Sequence, residues 1–185
     1  ADHVGSVWLF DRDAKQWADW GVDYVKVDWN PNDVPTTKRI RKALDESGRD
    51  IVLSLSNAAP YEHVEELGKL ANLGRTTGYI QDHWGSVSGI GFSQERWQKH
   101  MRPGHWNDPD ILQIGKLGKP NQPNTTFVQT RLTPDEQYTH VTLWCLLSAP
   151  LIVSCDLEHI DSFTMGLLTN DEVIAVDQDP AARPA

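Results

Sequence analysis

Val25-Lys26-Val27-Asp28 and, a little over eighty residues further on, Asn107-Asp108-Pro109-Asp110 each set a carboxylate at the end of an apolar run, and each run follows a helix-like segment. Alternate side chains of a strand point to opposite faces. Tyr24, Lys26 and Asp28 therefore share one face, and Val25 and Val27 pack on the other. Asp28 falls at the carboxyl end of its strand, where parallel barrels keep their reacting groups. Lys26 lies one pleat below, roughly 6–7 Å away, and a nearby ammonium favours an ionised carboxylate. An ionised Asp in a pocket suits a nucleophile. A plain Lys–Asp ion pair in a polar mouth is the alternative. Asp108 and Asp110 are also one pleat apart, with Pro109 marking a strand end rather than a centre. They can accept hydrogen bonds from hydroxyl groups, or simply form a turn, since Asn-Asp-Pro-Asp is good turn chemistry. Arg75 approaches the next strand; a lone Arg is ordinarily a surface residue.

Working outward, strand alternates with helix. Asp13 to Trp20 reads as a helix stopped by Gly21, and Val22 to Asp28 as a strand. Helix Thr36 to Ser47 leads to strand Ile51 to Leu55. Helix Tyr61 to Leu73 leads to a short strand from Thr77 to Ile80, and helix Ser93 to His100 to a strand within His105 to Leu112. Thr133, Pro134 and Glu136 open a strongly signalled helix that runs to about Leu147. Leu151 to Ser154 is the last strand, and Asp161 to Val176 the last helix. This rhythm means α/β architecture with parallel strands and right-handed crossovers. The runner-up is an open doubly wound sheet, but no G-x-G-x-x-G follows a strand. The stretch from Gly115 to Thr130, rich in Gly, Pro and Asn, is expected to be the longest irregular piece, at the rim of the site.

The 185 residues allow one ordinary domain with a real core. A chain 39% hydrophobic and 23% charged, with net charge −9, is neither disordered nor membrane-inserted. The acidic balance argues against nucleic acid, whose phosphates attract basic surfaces, and fits a neutral substrate. Eight Trp hint at carbohydrate, because sugars stack their C–H faces on indoles; most can equally serve the core. A Cys145–Cys155 disulfide is possible but not implied, and no Cys/His spacing fits zinc. Ala1-Asp2-His3-Val4 does not read as a signal peptide.

Taken in order, several segments resemble glycoside hydrolase family 27, the α-galactosidases and α-N-acetylgalactosaminidases (melibiases). They are Asp13 through Trp17-Ala18-Asp19-Trp20-Gly21 to Asp28, Pro103-Gly104-His105-Trp106-Asn107-Asp108-Pro109-Asp110-Ile111-Leu112, Leu132 to His140 with Leu143-Trp144, Ala149-Pro150-Leu151 with Asp156-Leu157, and Asn170 to Pro180. The resemblance implies a retaining glycosidase on a (β/α)8 barrel, working through a covalent glycosyl-enzyme, with carbohydrate as substrate. Neither a metal nor an organic cofactor is implied. Asp28 matches the nucleophile. Lys26, Arg75 and Asp110, with Ile111 beside it, match residues that hold the sugar. Ser56 and Ala59 stand where the sugar's 2-substituent is selected, and resemble the acetylgalactosaminidase-type pocket more than the galactosidase one. A secreted, periplasmic or lysosomal compartment is implied without a choice among them.

Two departures accompany the match. The family's proton donor is an Asp in Arg-x-x-x-Asp-Ile; here Arg75-Thr76-Thr77-Gly78-Tyr79-Ile80 puts Tyr79 at that place. A phenol is a poor base at neutral pH, and losing acid/base help costs about 10²–10⁴-fold. Asp82 is a weak substitute, lying past the strand end. The second departure is extent. About five βα units, matching strands 4 to 8 of the barrel, fill residues 1–185, so the whole chain is expected to be an incomplete barrel. It lacks the first strands and the C-terminal β-sandwich. A missing segment or a second chain would then complete it. Trp8-Leu9-Phe10 also replaces a polar stretch of the family. Three functions follow: a glycosidase, impaired as it stands; a sugar-binding pseudoenzyme; or an inactive fragment.

Overall fold

The computed structural model describes residues 9–28, 32–56, 58–118, 126–181 and 183–184. Trp8 and the residues before it, Asn57, and positions 119–125 lie outside this set. The chain forms two compact units, Ala1–Arg75 and Thr76–Ala185.

The first unit is a parallel sheet with helices. Helix α1 (Phe10–Asp19) buries Ala14 and ends in a left-handed glycine. Gly21 donates to Ala18 O and Val22 to Trp17 O, closing the helix in a Schellman motif. Strand β1 (Tyr24–Val27) follows, then helix α2 (Val34–Glu46), whose N-cap Asp33 accepts from Thr36 N at 2.7 Å. Strand β2 (Val52–Leu55) lies parallel to β1, with Lys26 level with Ser54 and Val27 with Leu55. A 3-10 turn at Tyr61–His63 and a short helix α3 (Val64–Leu67) lead to strand β3 (Leu73–Arg75), parallel to β2. The core gathers Ala14, Ile40, Ala43, Leu44, Ile51, Leu53, Leu55 and Leu67, with Val25 and Val27 packed against it.

The second unit begins with helix α4 (Trp84–Phe92), helix α5 (Glu95–Gln98) and strand β4 (Trp106–Asp108). Strands β5 (Lys116–Gly118) and β6 (Phe127–Gln129) form an antiparallel ribbon. Helix α6 (Pro134–Leu146) follows, then α7 (Ser162–Leu168) and α8 (Asp171–Asp177). The start of α6 is a full capping box: Thr133 Oγ1 accepts from Glu136 N, and Glu136 Oε2 accepts from Thr133 N at 2.8 Å. Ile80, Val87, Leu112, Ile114, Val141 and Trp144 centre this core.

Several expected elements differ. The helix expected over Tyr61 to Leu73 stops at Leu67, because Asn72 joins the sheet: its N donates to Leu53 O and its Oδ1 accepts from Leu53 N. The strand expected at Thr77 to Ile80 therefore lies earlier, at Leu73–Arg75. The glycine-rich Trp84–Phe92 is helical although its sequence carries little helix signal, and the helix expected from Ser93 to His100 is only the turn Glu95–Gln98. The strand within His105 to Leu112 is cut to three residues, since Pro109 ends the ladder and Asp110 takes φ 94°. Leu151 to Ser154 makes a single bridge, Val153 to Leu112, rather than a strand. The piece from Gly115 to Thr130 carries the β5–β6 ribbon instead of being wholly irregular. Asn170 interrupts the last helix by capping α8 through Val173 N. Cys145 and Cys155 are free thiols.

Candidate active site

In the first unit, the alternation of β1 and the parallel register build a polar face. Val25 and Val27 turn to the core, while Tyr24 and Lys26 are exposed on the other side. Asp28 follows immediately, exposed, at the carboxyl end. Ser54 stands level with Lys26 on β2. Ser56 N donates to Val27 O at 3.0 Å, carrying the register one step further, so that Ser56 comes level with Asp28. Leu55 pairs with Gly74, so Arg75 comes level with Ser56. Lys26, Asp28, Ser54, Ser56 and Arg75 thus share one side of the sheet, opposite Val25, Val27, Leu53 and Leu55.

Depth differs sharply across this face. Arg75 is 1% exposed and Ser56 fully buried. A buried guanidinium is far from the surface residue that a lone Arg suggests, since long charged chains are almost never fully buried unless paired. The hydroxyls of Ser54 and Ser56 are buried and find no hydrogen-bond partner among the described residues; such orphans are uncommon in a folded chain. The Asn32 amide donates to the Ser56 carbonyl. Ala59 is half-buried, and its N donates to Arg75 O at 3.0 Å, tying the loop after β2 to β3. Ser54 was not singled out by the sequence; the signal for it is the same period-2 alternation that selects Lys26.

In the second unit, Tyr79 is 69% exposed. Its neighbour Ile80 is buried and donates its N–H to Asp110 Oδ2 at 2.8 Å. Asp110, 4% exposed, also accepts from Ile111 N through Oδ1 and donates its own N–H to Asp108 Oδ1, both at 2.8 Å. At the end of β4 the carboxylates of Asn-Asp-Pro-Asp therefore bind backbone N–H groups. Ile111 packs its side chain against the core.

Asp82 is committed elsewhere. Arg131 donates to it from Nε, from NH2 at 2.6 Å and from its backbone N. Burial alone would raise the Asp82 pKa, but these hydrogen bonds and the guanidinium charge together hold it below the usual carboxylate range. A carboxyl kept ionised by an ion pair is a poor proton donor.

No group of three His, Cys, Asp or Glu among the described residues could hold a metal ion. No described helix is long and apolar enough to cross a membrane.

Comparison with known proteins shows the family of the chain. The family model of α-galactosidase A, a melibiase, matches residues 1–179. Alpha-galactosidase 2 of Arabidopsis thaliana is 41% identical over 95% of this chain and 42% of its own length. Human α-galactosidase A is 35% identical over 99% and 43%. Among solved structures, a family 27 β-L-arabinopyranosidase from Geobacillus stearothermophilus superposes with a TM-score of 0.85 at 37% identity, covering 97% of this chain and 43% of that one. Alpha-galactosidase I of Mortierella vinacea gives 0.85 at 28% identity, covering 99% and 50%. The chain spans about two fifths of the length of the curated relatives it matches. By the family model and these relatives, the chain belongs to the melibiases, glycoside hydrolase family 27.

Proposed function

We propose that this chain is the carboxyl-terminal part of a (β/α)8 catalytic barrel, residues 1–185, of a retaining α-glycosidase for terminal α-galactoside-type sugars. Asp28 is its nucleophile. Lys26, Arg75 and Asp110, with Ile111, hold the sugar, and Ser56 and Ala59 face the 2-substituent. The observation that carries this proposal is the polar face on which Lys26, Asp28, Ser56 and Arg75 align at the strand ends. Asp28 would attack the anomeric carbon and expel the aglycone oxygen, leaving a covalent glycosyl ester that water then cleaves. Further strands, from another segment or a second chain, would complete the barrel.

Tyr79 stands where the leaving oxygen should be protonated. Catalysis is therefore weakened by about 10²–10⁴-fold, and substrates with acidic leaving groups are favoured. Tyr79, together with Asp82 bound to Arg131, supports a second version: a galactose-type sugar binder without turnover.

A panel of 4-nitrophenyl α-galactoside, α-N-acetylgalactosaminide and β-L-arabinopyranoside separates the two. The first version expects slow 4-nitrophenol release that Asp28→Asn abolishes and Tyr79→Asp raises. The second expects galactose or N-acetylgalactosamine binding by calorimetry with no release. A chain that neither cleaves nor binds any of these sugars overturns both.

A further inference from the structure

We infer that Asp110 is a positioning residue whose carboxylate clamps the backbone at Tyr79–Ile80, and that Trp144 on α6 holds Asp110 for this task. The importance of the Tyr79 place rests on the glycosidase proposal; the clamp rests on geometry within the second unit alone.

The segment after β3 belongs to no named strand among the described residues, and three of its attachments matter here. Thr76 N donates to Asp108 O at 3.0 Å, and Thr76 Oγ1 bonds Gln94 Oε1 at 2.9 Å. Ile80 N donates to Asp110 Oδ2 at 2.8 Å. Asp82 is held by Arg131. Thr77, Gly78 and Tyr79 lie between the first two of these points. Asp108 and Asp110 thus hold the two ends of the piece that carries Tyr79. The second of these pins is a side-chain carboxylate, a charge-assisted acceptor and so stronger than an ordinary amide–carbonyl bond.

Asp110 is itself over-determined. Its φ of 94° is a value that Asp tolerates better than most side chains, and that persists only where the surroundings impose it. Its N–H goes to Asp108 Oδ1, its Oδ1 takes Ile111 N, and its carbonyl accepts the Trp144 indole N–H at 2.7 Å. Trp144 is fully buried. Its ring meets His140 edge-on, centroids 4.1 Å apart, and His140 Nε2 accepts Gln113 N at 3.1 Å. Packing alone would explain a buried indole, but not a polar edge aimed at the carbonyl of a residue whose carboxylate reaches Ile80. The chain α6, Trp144, Asp110, Ile80 therefore ends at the place that is to handle the leaving group.

The test is NMR on the ¹⁵N-labelled full chain with Asp110→Asn and Trp144→Phe; the second removes the indole donor and keeps an aromatic ring. The Ile80 amide proton, shifted downfield by the carboxylate, is expected to move upfield in both variants and to exchange roughly tenfold faster with solvent. The amides of Val87 and Val141 should keep their protection. A carboxylate that merely supports the fold would lower the melting temperature and leave the Ile80 shift alone, which would overturn the clamp. An unchanged Ile80 signal in Trp144→Phe alone would overturn the role of Trp144. Should neither variant fold, coupling across the hydrogen bond between Ile80 nitrogen and the Asp110 carboxyl carbon decides in the unmodified chain, and its absence overturns the clamp. Galactose calorimetry on the unmodified chain keeps the two ideas apart. Absent binding counts against the sugar site, while the Ile80 signals still decide the clamp.

Discussion

At the residue scale, His140 illustrates what burial does to a titrating group. It is fully buried against Trp144, and desolvation brings its pKa down from 6.5 to about 4. The folded form therefore holds His140 neutral while the unfolded chain takes up a proton near pH 6.5. Its contribution to stability is complete above that pH and is lost progressively as pH falls to about 4. The full swing is on the order of 3 kcal/mol. Urea titrations at pH 7.5, 5.5 and 4.5 should show this decline, and His140→Gln should flatten it. A second prediction concerns Asp82. In Arg131→Ala the side-chain hydrogen bonds and the guanidinium charge disappear while burial and the backbone N–H bond remain, so Asp82 should titrate higher than in the parent, as read by carboxyl ¹³C shifts against pH. An unmoved titration would show that Arg131 is not what holds Asp82 ionised. What the sequence shows at this scale is uneven. Asp28 at a strand end and the partnership of Val25 with Val27 follow from alternation alone. The burial of Arg75 and the grip of Asp110 on Ile80 do not, because both depend on contacts between residues tens of positions apart.

At the scale of elements, local signals fared best where chemistry is local. The capping box of α6 is written in Thr133-Pro134-Asp135-Glu136 and the structure carries it in full. Thr133→Ala should cost about 1 kcal/mol, seen as a lower urea midpoint with unchanged slope. Signals failed where tertiary pairing overrules propensity, as when Asn72 pulls the chain into β3 and shortens the preceding helix. Helix α4 was hidden by its glycines, and two of them make a matched test. Gly89 is exposed, with nothing near an added methyl group, whereas a Cβ on Gly91 would lie 2.3 Å from Leu143 Cδ2 and 3.2 Å from the Trp144 ring. Gly89→Ala should therefore stabilise by up to about 1 kcal/mol. Gly91→Ala should destabilise by about 1–3 kcal/mol through overpacking. Equal effects in thermal melts would contradict the close approach of α4 to α6.

At the scale of the whole molecule, the family and the α/β architecture of parallel strands and helices were legible, because motif order survives over nearly the full chain. What covers the sheet edge is not legible, since no local pattern encodes it. In the described residues β1 has β2 as its neighbour and lies at the end of the sheet order, an edge that parallel sheets ordinarily cover. If a second copy supplies that cover, light scattering should return a mass above that of one chain; a monomer at every concentration would rule that out. Cys145 offers a way to watch the second unit directly. It is buried, and burial, with Asp177 nearby, pushes its thiol up to about 11. At neutral pH an alkylating reagent should find it inert until this unit opens. The half-buried Cys155 reacts sooner and supplies an internal reference. The rate of the slower thiol is then a clock for breathing of the unit that carries Tyr79, readable by mass spectrometry without any engineered label.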